Sequence, residues 1–481
     1  MAITELVRSV SLASNTGTVA HYKKVIGATA QEKLSCVAQL SSDCTDITEE
    51  WKLAEQGWLD PFVPATGDDS WQALPALTDL FPWQQPGCLA SRTWPMAPDQ
   101  ATLAKRWKKF VDAPLADRPE LFATAKTGRN IQTNVPGYAT LASLKTGARH
   151  EPIVRYSLRS FDRQWVFEDP RLLKTESPSL WRSRSERQLF LCSLLSVPIA
   201  KGPALVAAAT VPDFHHFRGS YGGKDVLPLY RDADAKEPNV TKGLLSKVGS
   251  TIGITTPTPE DLAAYAYAVL SALRYQERFA EALRTPGPRV PLTRDARLWS
   301  QAVELGGELL WLHTYTERFR STVSNRAGKL PEAGLRWAKP VREMPEKPND
   351  ITYDEKSQQL HVGDGVVAGV RKDVMEYSVS GMDVVWKWLG YRTAKGAGRA
   401  ASSANPLDQI RATKWPDEWS GELLELLTVL TVTLDRQPAQ GKLLDAICDG
   451  PLIAATELPT PSDAERKEPK APKTSSSGKL F

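Results

Sequence analysis

One stretch of the sequence combines the side chains that most often contact nucleic acids. Residues 155–173, RYSLRSFDRQWVFEDPRLL, place four aromatic rings among four arginines. Guanidinium groups pair with phosphates and stack on rings, and rings stack on bases. The same residues also fit a half-buried strand with a solvated edge. Because side chains alternate along a strand, Trp165 and Phe167 share one face, which favours a core position over a base-stacking platform.

Two further segments are stronger candidates for DNA contacts. The arginines of WRSRSERQ, residues 181–188, alternate less with apolar residues, so phosphate contacts and a solvated surface both fit them. The loop DFHHFRGSYGGK, residues 213–224, has three glycines, which let a backbone approach DNA closely. This loop is the preferred element for base or backbone contacts. The candidate DNA-binding residues are Arg159, Arg163, Arg182, Arg184, Arg187, His215, Arg218, Tyr221 and Lys224.

Catalytic patterns are scarce in this sequence. It contains no GxxxxGK[ST] phosphate loop, and no two prolines are adjacent, which removes the [DNS]PP[YFW] loop of amino-methylating enzymes. His215 and His216 are neighbours that face different directions on most backbones, so a polar loop is favoured over a metal site with Asp213. Residues 348–356, PNDITYDEK, have the residue types of a nuclease site, but an ordinary hairpin turn is favoured. The sequence therefore predicts no catalytic residue, no metal ligand and no cofactor bound by this chain.

The composition is globular, with a local basic excess. The 481 residues are 41% hydrophobic and 24% charged, with a net charge of +4, and this length allows two or three domains. Residues 141–231 carry 14 Lys and Arg against 8 Asp and Glu. Five widely spaced cysteines predict reduced thiols. No signal peptide is evident and no apolar run approaches the roughly 18 residues of a membrane span, so we expect a cytoplasmic protein without a membrane partner.

The elements that must position these residues are mixed helices and strands. Thr258, Pro259 and Asp261 predict the start of one helix, and Thr293 is predicted to cap a second helix after a proline-rich linker. These two helices are expected to pack as a hairpin. Residues 350–370 predict a β-hairpin, whereas SGMDVVWKWLGYR and SGELLELLTVLTVTLDRQ predict further helices. The mixture favours an α+β fold.

Several segments in order resemble the type ISP single-chain restriction-modification enzymes. VRYSLRSFDRQWVFEDPRLL is similar to the family block Y-x-P-F-D-x-R-W-x-Y-x-D-P-R, and VPDFHHFRGSYGGKDVLPLYRD to a loop that ends in an F-P-L-Y strand. The two-helix block with its P-R-x-P linker and the segment ending in K-W-L-x-x-R are also similar. The resemblance covers about residues 15–455. Ser160, Gln164 and Leu227 depart from it, standing where proline, arginine and an aromatic residue are common.

The resemblance implies the region that follows the methyltransferase motifs, including the C-terminal specificity domain, which reads an asymmetric DNA target in that family. It implies a connector at 1–140, a target-recognition core with the helical hairpin at 141–330, and a β-hairpin with helices at 331–457. Residues 458–481 are rich in Pro, Ser and Lys, so we expect a disordered tail there.

The expected function is DNA recognition in a restriction-modification or phage-defence system, without catalysis by this chain alone. The expected partners are double-stranded DNA, a separate adenine methyltransferase, and nuclease-helicase subunits. S-adenosylmethionine would enter only through the methyltransferase. Two alternatives stay open: a protein-interaction scaffold or truncated remnant that lacks DNA recognition, and a catalytic fragment whose nuclease site the sequence does not reveal.

Overall fold

The computed structural model describes residues 21–22, 30–38, 52–53, 69–90, 92–124, 128–220, 222–322, 326–398 and 403–470. The chain divides into two compact units, residues 1–72 and 73–481. In the first unit, strand β1 (His21–Tyr22) pairs antiparallel with β2 (Lys52–Leu53), and helix α1 spans Ala30–Ala38. The expected boundaries at 140, 330 and 457 all fall within the second unit and stay predictions.

Thirteen helices from residue 69 onwards carry most of the regular structure in the described ranges. They are α2 (Asp69–Ala73), α3 (Leu77–Leu80), α4 (Gln100–Asp112), α5 (Arg118–Phe122), α6 (Pro178–Arg182), α7 (Leu244–Ile252), α8 (Pro259–Leu270), α9 (Leu273–Arg278), α10 (Ala296–His313), α11 (Lys372–Met375), α12 (Val384–Leu389), α13 (Asp417–Asp449) and α14 (Asp463–Arg466). Within those ranges we find no helix with the length and hydropathy that crossing a membrane requires.

The strands of the second unit form small antiparallel sheets. They are β3 (Met96–Ala97), β4 (Ile153–Arg159), β5 (Asp162–Phe167), β6 (Phe190–Cys192), β7 (Val206–Ala208), β8 (Val226–Pro228), β9 (Arg336–Lys339), β10 (Ile351–Asp354), β11 (Gln359–Val362), β12 (Gly365–Ala368), β13 (Ser378–Val379) and β14 (Met382–Asp383). The strand orders are β3-β5-β4, β7-β6-β8, β10-β11-β12-β9 and β13-β14. Small antiparallel sheets among helices confirm the α+β prediction, and β10–β12 confirm the hairpin predicted at 350–370.

The start of α8 matches its sequence signals, whereas the start of α10 does not. Thr258 Oγ1 accepts a hydrogen bond from the Asp261 amide (3.1 Å), and Asp261 Oδ2 accepts one from the Thr258 amide (2.9 Å). This reciprocal pair satisfies two amides that a helix start leaves without partners. At α10 the cap is Asp295, which accepts from the Leu298 amide at 3.0 Å. The predicted cap Thr293 was wrong by two residues, since its hydroxyl instead accepts from the Asp295 amide at 3.1 Å.

Helices α8 and α10 pack as the predicted hairpin. A Cβ atom on Gly306 of α10 would lie only 1.8 Å from the carbonyl oxygen of Ala264 on α8. The rings of Tyr265 and Trp299 stack across the same interface with centroids 4.4 Å apart. The two backbones therefore approach so closely that only glycine fits at position 306.

Helix α13 continues well past the segment predicted to be helical. The sequence prediction ended near Gln437 because Pro438 lacks an amide hydrogen and clashes with the preceding turn. In the structure, Gln437 Oε1 accepts from the Leu273 amide (2.9 Å), and Gln440 Nε2 donates to the Ala268 carbonyl (2.8 Å). These contacts hold both sides of the proline, so the helix runs through it for about 50 Å in all.

An aromatic core underlies the β4–β5 hairpin. Phe167 is fully buried within it, as the alternation predicted, and its ring lies 5.6 Å from that of Trp107 on α4. Trp165 packs against the edge of this core and is only partly buried. The core combines residues from both sides of position 140, which ties the connector segment to the hairpin.

The C-terminal segment is ordered further than its composition suggested. The Glu465 carboxylate accepts from the Lys242 amide at 2.7 Å, and its carbonyl accepts from Arg231 at 2.9 Å. Arg466 pairs with Asp79 at 2.7 Å. Charged side chains that look solvated in the sequence find partners on the folded surface, so order extends to residue 470. The remainder of the expected disordered tail lies outside the described residues.

Removing residues 459–481 is expected to lower the melting temperature by a few degrees, because the contacts of Glu465 and Arg466 are lost. Removing only residues 471–481 keeps these contacts and is expected to leave the melting temperature unchanged. Calorimetry on both truncations measures the difference. Equal melting temperatures for the two truncations would contradict a stabilising role for residues 459–470.

Candidate nucleic-acid interface

The loop at residues 213–224 begins on rigid backbone. The Asp213 amide donates to the Ser157 carbonyl on β4 (2.9 Å), and the Phe214 amide donates to the Cys88 carbonyl (2.7 Å). The loop therefore leaves the core between two fixed segments, one on each side. This support gives the loop a defined starting direction, which a recognition element needs.

A buried polar cluster fixes the first residues of the loop. Arg159 Nη1 donates to Asp213 Oδ1 at 2.6 Å, and Tyr156 OH donates to Asp213 Oδ2 at 2.9 Å. Asp213 is 2% exposed and Arg159 is 1% exposed. Burial, and then the Asp213 charge, raise the pKa of Tyr156 well above its usual value, so its hydroxyl keeps its proton and donates. Asp213 Oδ1 also accepts from the His215 amide at 2.8 Å, which carries the order into the loop.

The loop then turns back on itself at its glycines. The Gly219 amide donates to the His215 carbonyl (2.8 Å), with Gly219 at φ +84°. The Gly222 amide donates to His215 Nδ1 at 3.2 Å. A Cβ atom on Gly222 would lie 1.7 Å from the Phe214 carbonyl oxygen, so the two arms of the loop touch backbone to backbone. The glycines thus serve this close approach within the loop.

Two segments that the sequence analysis did not single out meet this loop. The Ala200 amide donates to Ser380 Oγ at 3.0 Å, and a Cβ atom on Gly202 would lie 2.3 Å from the Ser378 carbonyl. A Cβ atom on Gly223 would lie 2.8 Å from Ser196 Oγ. We call residues 193–205, 213–225 and 378–383 the loop cluster. The only local signal for the added segments was their glycines, which is too weak to identify a site.

The loop cluster carries more exposed positive than negative charge. Lys201 and Lys224 are exposed, and Arg218 is partly buried. Asp225 lies beneath the surface, where burial raises the pKa of its carboxyl. Asp383 is the exposed acid of the described part of the cluster. This arrangement can attract phosphates while glycine-rich backbone lies close to them.

The arginines of the β4–β5 hairpin do not face an open surface. Arg159 is buried in the Asp213 cluster, so the structure gives it a supporting position rather than a surface one. Arg163 pairs with Glu425 on α13 at 2.5 Å, and its guanidinium lies 3.6 Å from the centre of the Tyr315 ring. The stretch that opened the sequence analysis is therefore a structural hairpin.

A row of glutamates on α13 explains why these arginines are paired. Glu418, Glu422 and Glu425 recur at helical spacing and face the hairpin. Arg155 lies 2.8 Å from Glu418 and 2.7 Å from Glu422. Arg392, which is fully buried, lies 3.5 Å from Glu422 and 3.0 Å from Asp162 on β5. The spacing of the glutamates was visible in the sequence, but nothing local identified the arginines as their partners.

The second group of candidate arginines is also engaged. Arg182 donates to Ser179 Oγ at 2.9 Å, and Arg184 pairs with Glu168 and donates to the Trp181 carbonyl. Arg187 lies 2.6 Å from Glu260, but its side chain is 60% exposed. Of these three, Arg187 is the best placed to reach a phosphate.

The histidines of the loop have structural contacts. His216 Nδ1 lies 3.0 Å from the Ser157 carbonyl, and burial lowers the pKa of its ring to about 4, so it is neutral near pH 7. No cluster of metal-ligating residues is found in the described ranges. Tyr221 lies outside the described residues. Residues 355–358, within the segment with nuclease-like residue types, form the favoured turn between β10 and β11.

Comparison with known proteins gives one family match. The model of the Type ISP C-terminal specificity domain matches residues 79–426. A search of the curated proteins finds no match.

Three solved structures share the fold. The DrdV–DNA complex matches with a TM-score of 0.55 and 16% identity over 88% of this chain and 42% of that one. A nuclease-deletion mutant of the Type ISP restriction-modification enzyme LlaGI, in complex with a DNA substrate mimic, matches with a TM-score of 0.51 and 16% identity, covering 82% and 30%. The ATP-dependent Type ISP enzyme LlaBIII bound to DNA matches with 0.55 and 15% identity, covering 83% and 26%. The chain thus spans less than half of each.

Proposed function

Since this chain belongs to the family of Type ISP C-terminal specificity domains, we propose that it recognises a target sequence in double-stranded DNA for a restriction-modification or phage-defence system. The observation that carries the proposal is the family match over residues 79–426, which includes the whole loop cluster. The solved structures with this fold were determined with DNA or a DNA mimic, which supports the same role.

We place the DNA contacts on the loop cluster. Lys201 and Lys224 are exposed point charges that suit phosphate contacts, which position a protein on DNA without reading its sequence. Arg218 has the fork that can pair with guanine O6 and N7 in the major groove. The buried Asp213 cluster would keep the loop in one conformation, so less order has to form when DNA binds.

A separate adenine methyltransferase is the proposed catalytic partner, with nuclease-helicase subunits as further partners. The sequence offers no methyl-transfer loop of its own, so S-adenosylmethionine would bind the partner. Co-purification with neighbouring gene products, followed by methylome sequencing, tests this arrangement. Transfer of a labelled methyl group to DNA by the pure chain would contradict it.

Replacing Lys201, Arg218 and Lys224 together with glutamine is expected to weaken binding to all duplexes and to flatten the salt dependence. Each lost phosphate contact lowers the slope of log affinity against log salt by about 0.9. A fluorescence titration of labelled duplex at several salt concentrations measures both quantities. Circular dichroism on each variant reports whether it is folded.

A matched control removes the same charge from other exposed sites. Glutamine at Lys356, Arg297 and Lys442 changes net charge equally but leaves the loop cluster intact. If both folded triple variants weaken binding alike, net charge rather than the loop cluster determines affinity. Absence of low-salt binding by the wild-type chain, alone and with a methyltransferase, would reject DNA recognition itself.

A further inference from the structure

A cleft beside the β4–β5 hairpin is separate from the loop cluster. It has a cavity volume of about 60 Å³ and lies between α4, the end of β4, residues 391–397 and the start of α13. A cavity needs roughly 10–15 Å³ to hold one water, so this one has room for about four waters or for one small tetrahedral ion. Its position joins segments that are more than 300 residues apart in the sequence.

Three guanidinium groups line the cleft, from Arg106, Arg159 and Arg411. Arg106 Nε donates to the Ile410 carbonyl at 3.0 Å, and its Nη1 donates to the Met96 carbonyl at 2.7 Å. Arg411 Nε donates to the Asp408 carbonyl at 3.1 Å. These bonds hold the arginines by backbone oxygens, which neutralise no charge.

Arg159 brings donors that its own partners do not use. Its Nη1 is taken by Asp213 and by the Leu158 carbonyl. Its Nε is buried and makes no hydrogen bond to any residue in the described ranges. Arg159 is 1% exposed, so water does not satisfy this donor as it would on a surface. The buried group therefore lacks an acceptor.

Negative charge in the lining does not balance these groups. Asp99 is the one carboxylate among the described residues that line the cleft, and it caps α4 by accepting from the Thr102 amide at 2.7 Å and the Thr102 hydroxyl at 2.9 Å. Burial lowers the pKa of Arg106 to about 10, and the nearby Arg411 charge lowers it further against the opposing effect of Asp408 and Asp99. An added anion would relieve both the desolvation and the repulsion.

We propose that this cleft binds one tetrahedral oxyanion, a phosphate group, held by Arg106, Arg159 and Arg411. Guanidinium groups match phosphate oxygens with paired donors, and the cleft has the size for one such group. The group can be a phosphodiester of bound DNA or the phosphate of a free small molecule. The site does not require DNA recognition, because a free phosphate can fill it in either case.

Titration of the full chain with inorganic phosphate tests the site. Ionic strength is held constant with sodium chloride, and melting temperature and ³¹P linewidth are followed. We expect a saturable rise in melting temperature that chloride does not reproduce. Replacing Arg411 with glutamine is expected to weaken phosphate binding at least 10-fold, as is Ala412→Asp, which adds a carboxylate to the lining. Arg297→Gln, on an exposed part of α10, is the charge-matched control and should leave binding unchanged.

The source of the phosphate is read from a second titration with duplex DNA. If saturating phosphate at constant ionic strength weakens DNA binding several-fold in the wild type but not in Arg411→Gln, the DNA backbone occupies the cleft. If phosphate binds without affecting DNA affinity, a free phosphate is the occupant. Saturable phosphate binding without any DNA binding keeps the site and rejects the proposed function. No saturable binding by the folded wild type, or equal binding by the folded Ala412→Asp variant, overturns the site.

Discussion

Replacing Asp213 with alanine is expected to lower the free energy of unfolding by about 3–5 kcal/mol, the usual effect of removing one partner from a buried ion pair. The carboxylate is the shared acceptor of Arg159, Tyr156 and the His215 amide. Without it, the Arg159 guanidinium would stay buried with its charge uncompensated. Since the loop at 213–224 begins at this residue, the loop should also lose its fixed direction.

Urea unfolding followed by circular dichroism measures this effect. Asp234→Ala is the matched control, because Asp234 pairs with Lys236 at 2.8 Å on an exposed surface. The control should leave the urea midpoint unchanged, since exposed pairs add little to stability. Similar midpoints for Asp213→Ala and the wild type would mean that the buried pair does not stabilise the fold.

Glu422 gives the second large expected effect. Glu422→Ala should cost about 3 kcal/mol, at the lower end for a buried pair because Arg392 keeps Asp162 at 3.0 Å. Glu418 supplies a control that shares the partner Arg155. The Glu418 side chain is 47% exposed whereas that of Glu422 is 8% exposed, so Glu418→Ala should cost less than about 1 kcal/mol.

The comparison separates burial from charge, since both variants remove one carboxylate from the same face of α13. Urea midpoints of the two single variants and of the double variant measure it. Equal losses for the two single variants would show that burial does not determine the contribution of these pairs.

The sequence predicted the elements whose signals are local. Thr258 and Asp261 lie three residues apart, and the capping pair they predict forms as expected. Proline 438 shows the opposite case, because the residues that hold α13 through it lie on α8 and α9, more than 150 residues away. Local propensity is a weak guide where distant contacts hold the backbone.

The candidate site shows the same limit. The loop at 213–224 was found from its glycines and basic residues, but the burial of Arg159 depends on Asp213, 54 residues later. An arginine beside rings has the same sequence signature on a DNA-binding surface and in an ion-paired interior. Only the folded positions of Asp213 and the α13 glutamates distinguish the two.

The loop cluster limits how its properties can be transplanted. Its three segments are separated by up to about 190 residues, and they touch through backbone atoms at Gly202 and Ser378 and through the Ala200–Ser380 hydrogen bond. A graft of residues 213–225 alone into a relative would meet foreign neighbours at both contacts. The smallest portable unit is therefore the set of three segments, which makes wholesale exchange of residues 193–383 a safer route to hybrid proteins than exchange of a single loop.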